Sequence, residues 1–458
     1  MSTKFNPDAL NEFARYHGFH YGKIDPIDLL QDCLLEMERG LRGSPSSLPM
    51  IPAYISPQSK LEPGKTVLAL DAGGTNLRGA LVKFDAQGKA IPGESRRAPM
   101  PGTEGPLSAE AFFDGIAAVA APLIEASGEK VEGIGFCFSY NMDITEEADG
   151  ILRAFSKEVE APDVIGKHIG AGLREALVRR NCKVPDNIIL LNDTVATLLS
   201  GLAGIPAPGG HWQGEDRFGT EGGPMVGFIL GTGLNTAYPE KRIPKIGFDS
   251  PQPQIVVVES GGFAHRCMGP LDLDFDRGTR VPGAHTLEKL SAGGYLGPLS
   301  FHILRQAHKE GLLVFKRADE FFARPSLEAK DISAFMNEPF SQKGPIAELF
   351  AQDEGDAISS MGYLIALITQ RAGLMAASVT AAAAVKATEA YNNPRNLDPF
   401  VPVRIAVEGT TYLQYKGLRE ATEAYLQIML TKDGPRTYTI APVEQASLFG
   451  AAVAALSK

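Results

Sequence analysis

The sequence predicts an α/β protein folded as two lobes, and three observations lead there. A chain of 458 residues exceeds what one hydrophobic core ordinarily supports. Apolar strand-like runs end in turn-forming residues, as in TVLALD at 66–71, NIILLND at 187–193 and MVGFILG at 225–231. Helical patterns follow these runs instead of clustering apart from them, which is the alternation of an α/β fold.

Taken in order, the first periodic segment is a helix over about 26–41. Asp25 is placed to cap it and Pro26 suits its first turn, while Ile27, Leu30, Leu34, Met37 and Leu41 recur at helical spacing. The Pro- and Ser-rich stretch that follows reads as an extended connector. TVLALD and RGALVKF (78–84) then form a hairpin around the glycine-rich turn DAGGTN. A helix is expected near 108–127 and a strand at 131–139. The strand over 187–193 leads into a helix beginning TVATLLSG. Residues 203–224, Gly- and Pro-rich and holding the only tryptophan, Trp212, read as a long surface loop. Helices dominate the rest, notably 357–391, with a strand at 403–409 and a last helix near 444–457.

Composition narrows the function. The formal net charge of -10 repels phosphate backbones and anionic lipid, so nucleic acid and membrane surfaces are not expected partners. Cys33, Cys137, Cys182 and Cys267 are scattered without CxxC spacing, which fits a reducing cytoplasm and neither a disulfide framework nor a cysteine zinc site. The N-terminal segment lacks the apolar core of a secretory signal. Residues 371–385 come nearest to a membrane span but are short and Ala-rich, as a buried helix would be.

The chemistry-bearing segment is Asp71-Ala-Gly-Gly-Thr-Asn-Leu-Arg78. Gly73 and Gly74 let backbone approach a ligand closely. Successive N–H groups in such a turn cradle anions, with the Thr75 hydroxyl beside them, and Asp71 is placed to hold a hydrated Mg²⁺. A plain hairpin would use the same residues. Gly231-Thr232-Gly233, after the strand ending at Leu230, is a second such turn. Asn192-Asp193 closes a strand and opens a helix, so Asp193 is either a helix cap or a general base for phosphoryl transfer. Ser139, Lys157, Asn235 and Glu259 are further polar candidates. Gly64-Lys65-Thr66 mimics the end of a Walker loop, but Ser59 stands where its first glycine is needed. No HExxH or GxSxG motif is present, and the eight histidines show no ligand spacing.

In combination these segments resemble the hexokinase family, within the actin-like superfamily of sugar kinases. LALDAGGTNLRGALV resembles its first phosphate motif, and FCFSYNMDITEEADGILRAFSKEVEAPDVIGK its sugar-binding stretch. LLNDTVATLLSG, GFILGTGLNTAY, VVVESGGF, VAVEGTTY and SLFGAAVAAL match the later motifs in order. The resemblance runs from about Leu48 to Ala455. It implies an actin-like, ribonuclease H-like fold with a cleft between a small lobe (58–193) and a large lobe (194–440). Residues 1–57 would pack on the large lobe, and 441–458 would return to the small one.

The resemblance also implies ATP-dependent transfer of a phosphoryl group to the 6-hydroxyl of a hexose, glucose foremost. Asp193 would be the base, assisted by Lys157, with Ser139, Ser156, Lys157, Asn192, Asn235 and Glu259 holding the sugar. Asp71 would act through Mg²⁺ and water. Gly73, Gly74, Thr75, Asn76, Arg78, Gly231, Thr232 and Gly233 would serve the phosphates, and Gly409 and Thr410 the adenosine. Three departures stand out: Pro298 in YLGP, where the resemblance leads one to expect a sugar-touching Glu; Asn141, where a Pro is usual; and Glu408, where an Asp is usual. Losing a carboxylate hydrogen bond costs about 1.5–3 kcal/mol, roughly ten- to hundredfold in affinity, unless another acid replaces it. Pro298 and the Trp212 segment therefore keep a second reading alive, a sugar-binding regulator with weak catalysis. A bacterial repressor-type sugar kinase is a third, opposed by the missing cysteine cluster. No oligomeric state is assigned.

Overall fold

The frame of the molecule is a pair of twisted sheets. The computed structural model describes residues 4–57, 61–86, 88–155, 159–203, 223–264, 268–391, 401–431 and 436–457. The strands run in chain order as β1 (Ile51–Pro52), β2 (Thr66–Gly73), β3 (Asn76–Phe84), β4 (Ala90–Pro99), β5 (Val131–Phe138), β6 (Asn141–Ile144), β7 (Gly150–Ala154) and β8 (Asn187–Leu191). They continue as β9 (Met225–Leu230), β10 (Leu234–Ile243), β11 (Phe248–Val257), β12 (Val403–Glu408) and β13 (Tyr438–Pro442). One sheet has the order β4-β3-β2-β5-β8, the other β1-β11-β10-β9-β12-β13, and β6 and β7 form a separate ribbon.

Strand direction places the site. β2, β5 and β8 are parallel, so Asp71, Ser139 and Asn192 all arrive at the same edge. In the other sheet β9, β12 and β13 are parallel, bringing Gly231 and Glu408 to one edge. Ligands of α/β proteins bind beyond such carboxyl ends.

The expected elements form, with adjustments that follow from hydrogen bonding. Asp25 Oδ1 accepts from the amides of Ile27 (2.8 Å) and Asp28 (3.1 Å), starting the helix Pro26–Leu41 as anticipated. Its buried face is rotated to take in Leu29 and Cys33 beside Leu30, Met37 and Leu41. In the hairpin, Gly73 still pairs with Asn76, so the turn shrinks to Gly74-Thr75, with Gly74 in the left-handed region at φ 70°. The strand expected over 187–193 stops at Leu191. Asn192 is the cap, its Oδ1 accepting from Val195 N at 2.8 Å, and Asp193 is the first residue of the helix Asp193–Ser200. The last helix is Ala446–Ala454. The exposed strand β4, the ribbon β6–β7 and the helix Pro7–Tyr16 were not anticipated. Trp212 and most of the 203–224 loop lie outside the described residues.

Among the described residues burial divides into three large cores and a small cluster of Ala406, Val443 and Ala446. One core lies under β2, β3 and β5 against the helix Ala109–Ala126, with Leu70, Phe112, Ile116 and Phe136 at its centre. A larger core joins β9, β10 and β12 to the 37-residue helix Gly355–Tyr391, and Leu10, Phe13, Leu30 and Met37 of the N-terminal helices belong to it. That long helix is apolar enough to cross a membrane by length and composition, but its most apolar window is 89% buried inside the protein.

The third core lies between the sheets. It is built from Val67, Ala69 and Ala80 of one, Ile255 and Val257 of the other, and Val195, Leu198, Ala451 and Ala452 of two intervening helices. The helix Ala446–Ala454 is in direct backbone contact on both sides. A Cβ at Gly135 would overlap the Ala451 carbonyl, and one at Gly450 would overlap that of Ala196.

Candidate active site

A cleft of about 740 Å³ opens between the sheets and takes side chains from both. Ser139 lines it from beyond β5, Asn192 and Asp193 from beyond β8, and Asn235, Glu259 and His285 from the larger sheet and its loops.

Local chain geometry fixes each polar group. Asp193 opens its helix and receives the Thr194 hydroxyl at 3.2 Å on Oδ1. The Asn235 amide donates to Glu259 Oε1 at 2.9 Å, while its own Oδ1 accepts from the amides of Thr236 (2.8 Å) and Ser260 (3.2 Å). Glu259 itself sits in the left-handed region, φ 58°, ψ 49°. A side chain normally avoids that region, and such strain persists where surrounding structure holds a functional group in place.

The two glycine turns lie at the ends of β2 and β9. Gly74 accepts the Tyr140 hydroxyl on its carbonyl at 2.7 Å, and Asn76 Nδ2 donates to Thr75 Oγ1 at 3.3 Å. Thr75 and Asn76 are exposed, Arg78 half-buried. Gly231 donates to the Gly233 carbonyl at 2.9 Å. Its own carbonyl accepts from Gly293 N (2.9 Å) and the Thr411 hydroxyl (2.8 Å), so two helix starts clamp this turn. Gly409, at φ 128°, follows Glu408 so closely against Leu230 and Gly231 that a Cβ there would overlap the Leu230 carbonyl. Thr410, exposed, begins the helix Thr410–Gln414.

Asp193 is the common negative neighbour of the site. Burial raises the Asp71 carboxyl above its ordinary value; the Ser447 hydroxyl, donating to Oδ2 at 2.9 Å, and Arg78 oppose this, and Asp193 adds to it. Burial likewise raises Glu259, against the Asn235 hydrogen bond and with a further push from Asp193. Glu408 is pushed up to about 7 by burial, with Asp193 and Asp71 adding and a hydrogen bond from Thr197 subtracting. Desolvation favours the neutral acid in each case.

Among the sequence candidates, the cleft therefore gathers Ser139, Asn192, Asp193, Asn235 and Glu259. Asp71, Gly73, Gly74, Thr75, Asn76 and Arg78 share one hairpin end, while Gly231, Thr232, Gly233, Gly409 and Thr410 share the facing strand ends. Ser156 and Lys157 lie outside the described residues.

Residues that sequence reasoning passed over are here too. Glu288, in the short helix Thr286–Ser291, accepts from Leu234 N at 3.2 Å on the Oε2 that lies against Gly233. Burial raises its carboxyl, and it acts electrostatically on Glu259. His285, exposed at the cleft wall, acts on both acids. Pro298 instead lies inside the helix Gly293–Lys309.

The chain is 26% identical over 451 residues to Hexokinase-2 of Candida albicans, covering 93% of this chain and 87% of that protein. It is 28% identical over 436 residues to Hexokinase-1 of Schizosaccharomyces pombe, covering 91% and 84%. In fold it is similar to a Schistosoma mansoni hexokinase solved with glucose, with a TM-score of 0.69 at 22% identity, over 99% of this chain and all of that one. Two family models, both described as hexokinase, match residues 17–203 and 225–457, the second alone more than half of the chain. The chain belongs to the hexokinase family, and its activity is the ATP-dependent phosphorylation of a hexose.

Proposed function

We propose that the enzyme transfers the γ-phosphoryl group of ATP to the 6-hydroxyl of a hexose, glucose foremost, with Asp193 as general base. The observation that carries this is the position of Asp193. It lines the cleft with polar groups from both sheets and is electrostatically linked to Asp71, Glu259 and Glu408. A base for this reaction takes the proton of the attacking hydroxyl, and the remaining catalysis is positioning and charge neutralisation.

Ser139, Asn192, Asn235 and Glu259 hold the sugar on this reading, joined by Glu288 and, from outside the described residues, Ser156 and Lys157. The hairpin turn at Gly73–Asn76 with Arg78, and the turn at Gly231–Gly233, take the polyphosphate, while Gly409 and Thr410 face the adenosine. Asp71 suits a Mg²⁺ ion held through water. Its carboxylate feels two other acids, Asp193 and Glu408, whose repulsion a cation relieves. Yet among the described residues no cluster of three acidic, imidazole or thiolate ligands surrounds one point. Bound Mg²⁺ supplies neutralisation of phosphate charge.

The lobes divide at 58–193 and 194–440 on this reading. Residues 1–57 count with the large lobe and 441–458 with the small. A cytoplasmic setting, without nucleic-acid or membrane partners, is supported by the net charge of -10 and by three buried free thiols, Cys33, Cys137 and Cys182.

The test is steady-state formation of sugar 6-phosphate from ATP and Mg²⁺ with glucose, mannose, fructose and N-acetylglucosamine, using Asp193→Ala as control. Turnover on at least one hexose, abolished in the variant, is the expected result. Turnover that survives in the variant would remove Asp193 from its role.

A further inference from the structure

Gly283, Ala284 and His285 line the cleft from the loop 278–285, which joins the helix Pro270–Arg277 to the helix Thr286–Ser291. Val281, Pro282, Gly283 and His285 of that loop are exposed. His285 also stands in the left-handed region, at φ 52° and ψ 44°, where a side chain stays only if surrounding structure holds it. A loop with so few buried contacts opens easily, so its restraint has to come from beneath.

That restraint is a buried ion pair. Lys289, 1% exposed, reaches from the second helix to Oδ1 of Asp276 on the first, itself 8% exposed. The same ammonium donates to the Val281 carbonyl at 2.7 Å, and Asp276 Oδ2 accepts from Gly283 N at 2.8 Å. Two side chains thus hold the loop at both flanks and at two points within it. The helix carrying Asp276 is fixed in turn, because both carboxylate oxygens of Asp272 accept from Arg371 of the long helix, at 2.6 and 2.8 Å. Glu288, the residue before Lys289, instead turns its carboxylate to Leu234 N at 3.2 Å, beside Gly233.

Taking two charges out of water carries a large desolvation penalty, and an apolar pair of similar volume often stabilises a fold as well or better. Stability alone therefore gives no reason for this pair. The shape of the loop does, since an apolar pair has neither a donor for Val281 nor an acceptor for Gly283.

We infer that Lys289 and Asp276 are positioning residues for the sugar. Their ion pair sets the loop so that His285 lines the cleft and Glu288 meets the Gly231–Gly233 turn. This rests on the kinase reading, in which Glu288 helps to hold the hexose. Neither Lys289 nor Asp276 lines the cleft, and neither belongs to the segments that carry the family resemblance.

The experiment compares the parent with Asp276→Asn, which removes the charge but keeps an acceptor for Gly283, and with the double variant Asp276→Leu/Lys289→Met. Steady-state kinetics should show the hexose KM rising roughly ten- to hundredfold in the double variant. The rise should be smaller in Asp276→Asn, and the KM for MgATP should be unchanged in both. Glucose binding by calorimetry, which needs no turnover, should weaken by the same factor. The double variant should melt close to the parent, because an apolar pair replaces a buried charged one, so lost affinity would not reflect global unfolding. Hydrogen exchange without ligand should quicken at the amides of 278–285 and stay unchanged in the long helix. A parent that binds glucose without turning it over would count against the kinase reading alone, and the binding and exchange measurements would still decide the pair. Glucose affinity and loop exchange equal to the parent's in the folded double variant would overturn the inference. If the double variant does not fold, the same two readouts on Asp276→Asn decide it.

Discussion

The Thr197 hydroxyl lies 3.2 Å from Glu408 Oε2 and 2.9 Å from the Asp193 carbonyl oxygen, tying the end of β12 to the first turn of the helix that Asp193 opens. Asp193 follows β8 of one sheet and Glu408 ends β12 of the other, and one short side chain links them.

That contact leads to a pH prediction. Glu408 titrates at about 7, raised from 4.5 chiefly by burial. Between these values the folded protein keeps a proton that the unfolded chain has released, so stability falls as pH rises through the window and then levels. Glu408→Gln has no such proton to lose. Its melting temperature should drop by a few degrees less than the parent's between about pH 5 and about pH 8. Parallel curves for the two proteins would place the titration elsewhere.

Asp193→Asn keeps the size of the side chain and removes the carboxylate proposed as base. The expected result is a fall in kcat of about 10²–10⁴, with the hexose KM changed little, measured by coupled assay of the sugar phosphate.

Glu288 should matter to sugar binding and Pro298 should not. Glu288→Gln is expected to raise the hexose KM by roughly ten- to hundredfold, as is Glu259→Gln. Pro298→Glu, inside a helix that begins beyond Glu288, should leave that KM where it is. An improved KM in Pro298→Glu would restore the view that a carboxylate is missing there.

Gly409→Ala tests the nucleotide side. The residue sits at φ 128° and has no room for a Cβ against Leu230. We expect a loss of about 1–3 kcal/mol in stability together with a raised KM for ATP, read by chemical denaturation and kinetics.

Much of this site was legible in the sequence because its turns need residue types that stand out. Asp71 to Arg78, Asn192-Asp193 and Gly231 to Gly233 each interrupt an apolar run with small or polar residues that strands avoid. Glu288 gave no such signal. It sits in TLEKLS, where a charged residue in a short helix reads as surface, and only the packing of that helix brings it against the Gly231–Gly233 turn. Strand β4 was missed for a related reason. Nearly all of AIPGESRRAP faces solvent, so no alternation of apolar residues marks it. Asn192 and Asp193 show the limit of a capping argument. Either residue type can cap a helix, and the hydrogen bond to Val195 decides between them.

The helix Ala446–Ala454 has a bearing on how the molecule comes into being. Ser447 reaches back 376 residues to Asp71, and the same helix fills the space behind Gly135 and against Ala196. During synthesis the first sheet therefore emerges from the ribosome long before its inner face has a covering, and must wait with apolar surface open to chaperones or to other chains. The first half expressed alone should be poorly soluble, and supplying the 441–458 segment in trans should rescue it. By this route a premature stop codon that spares every motif up to Thr410 would still be a null allele.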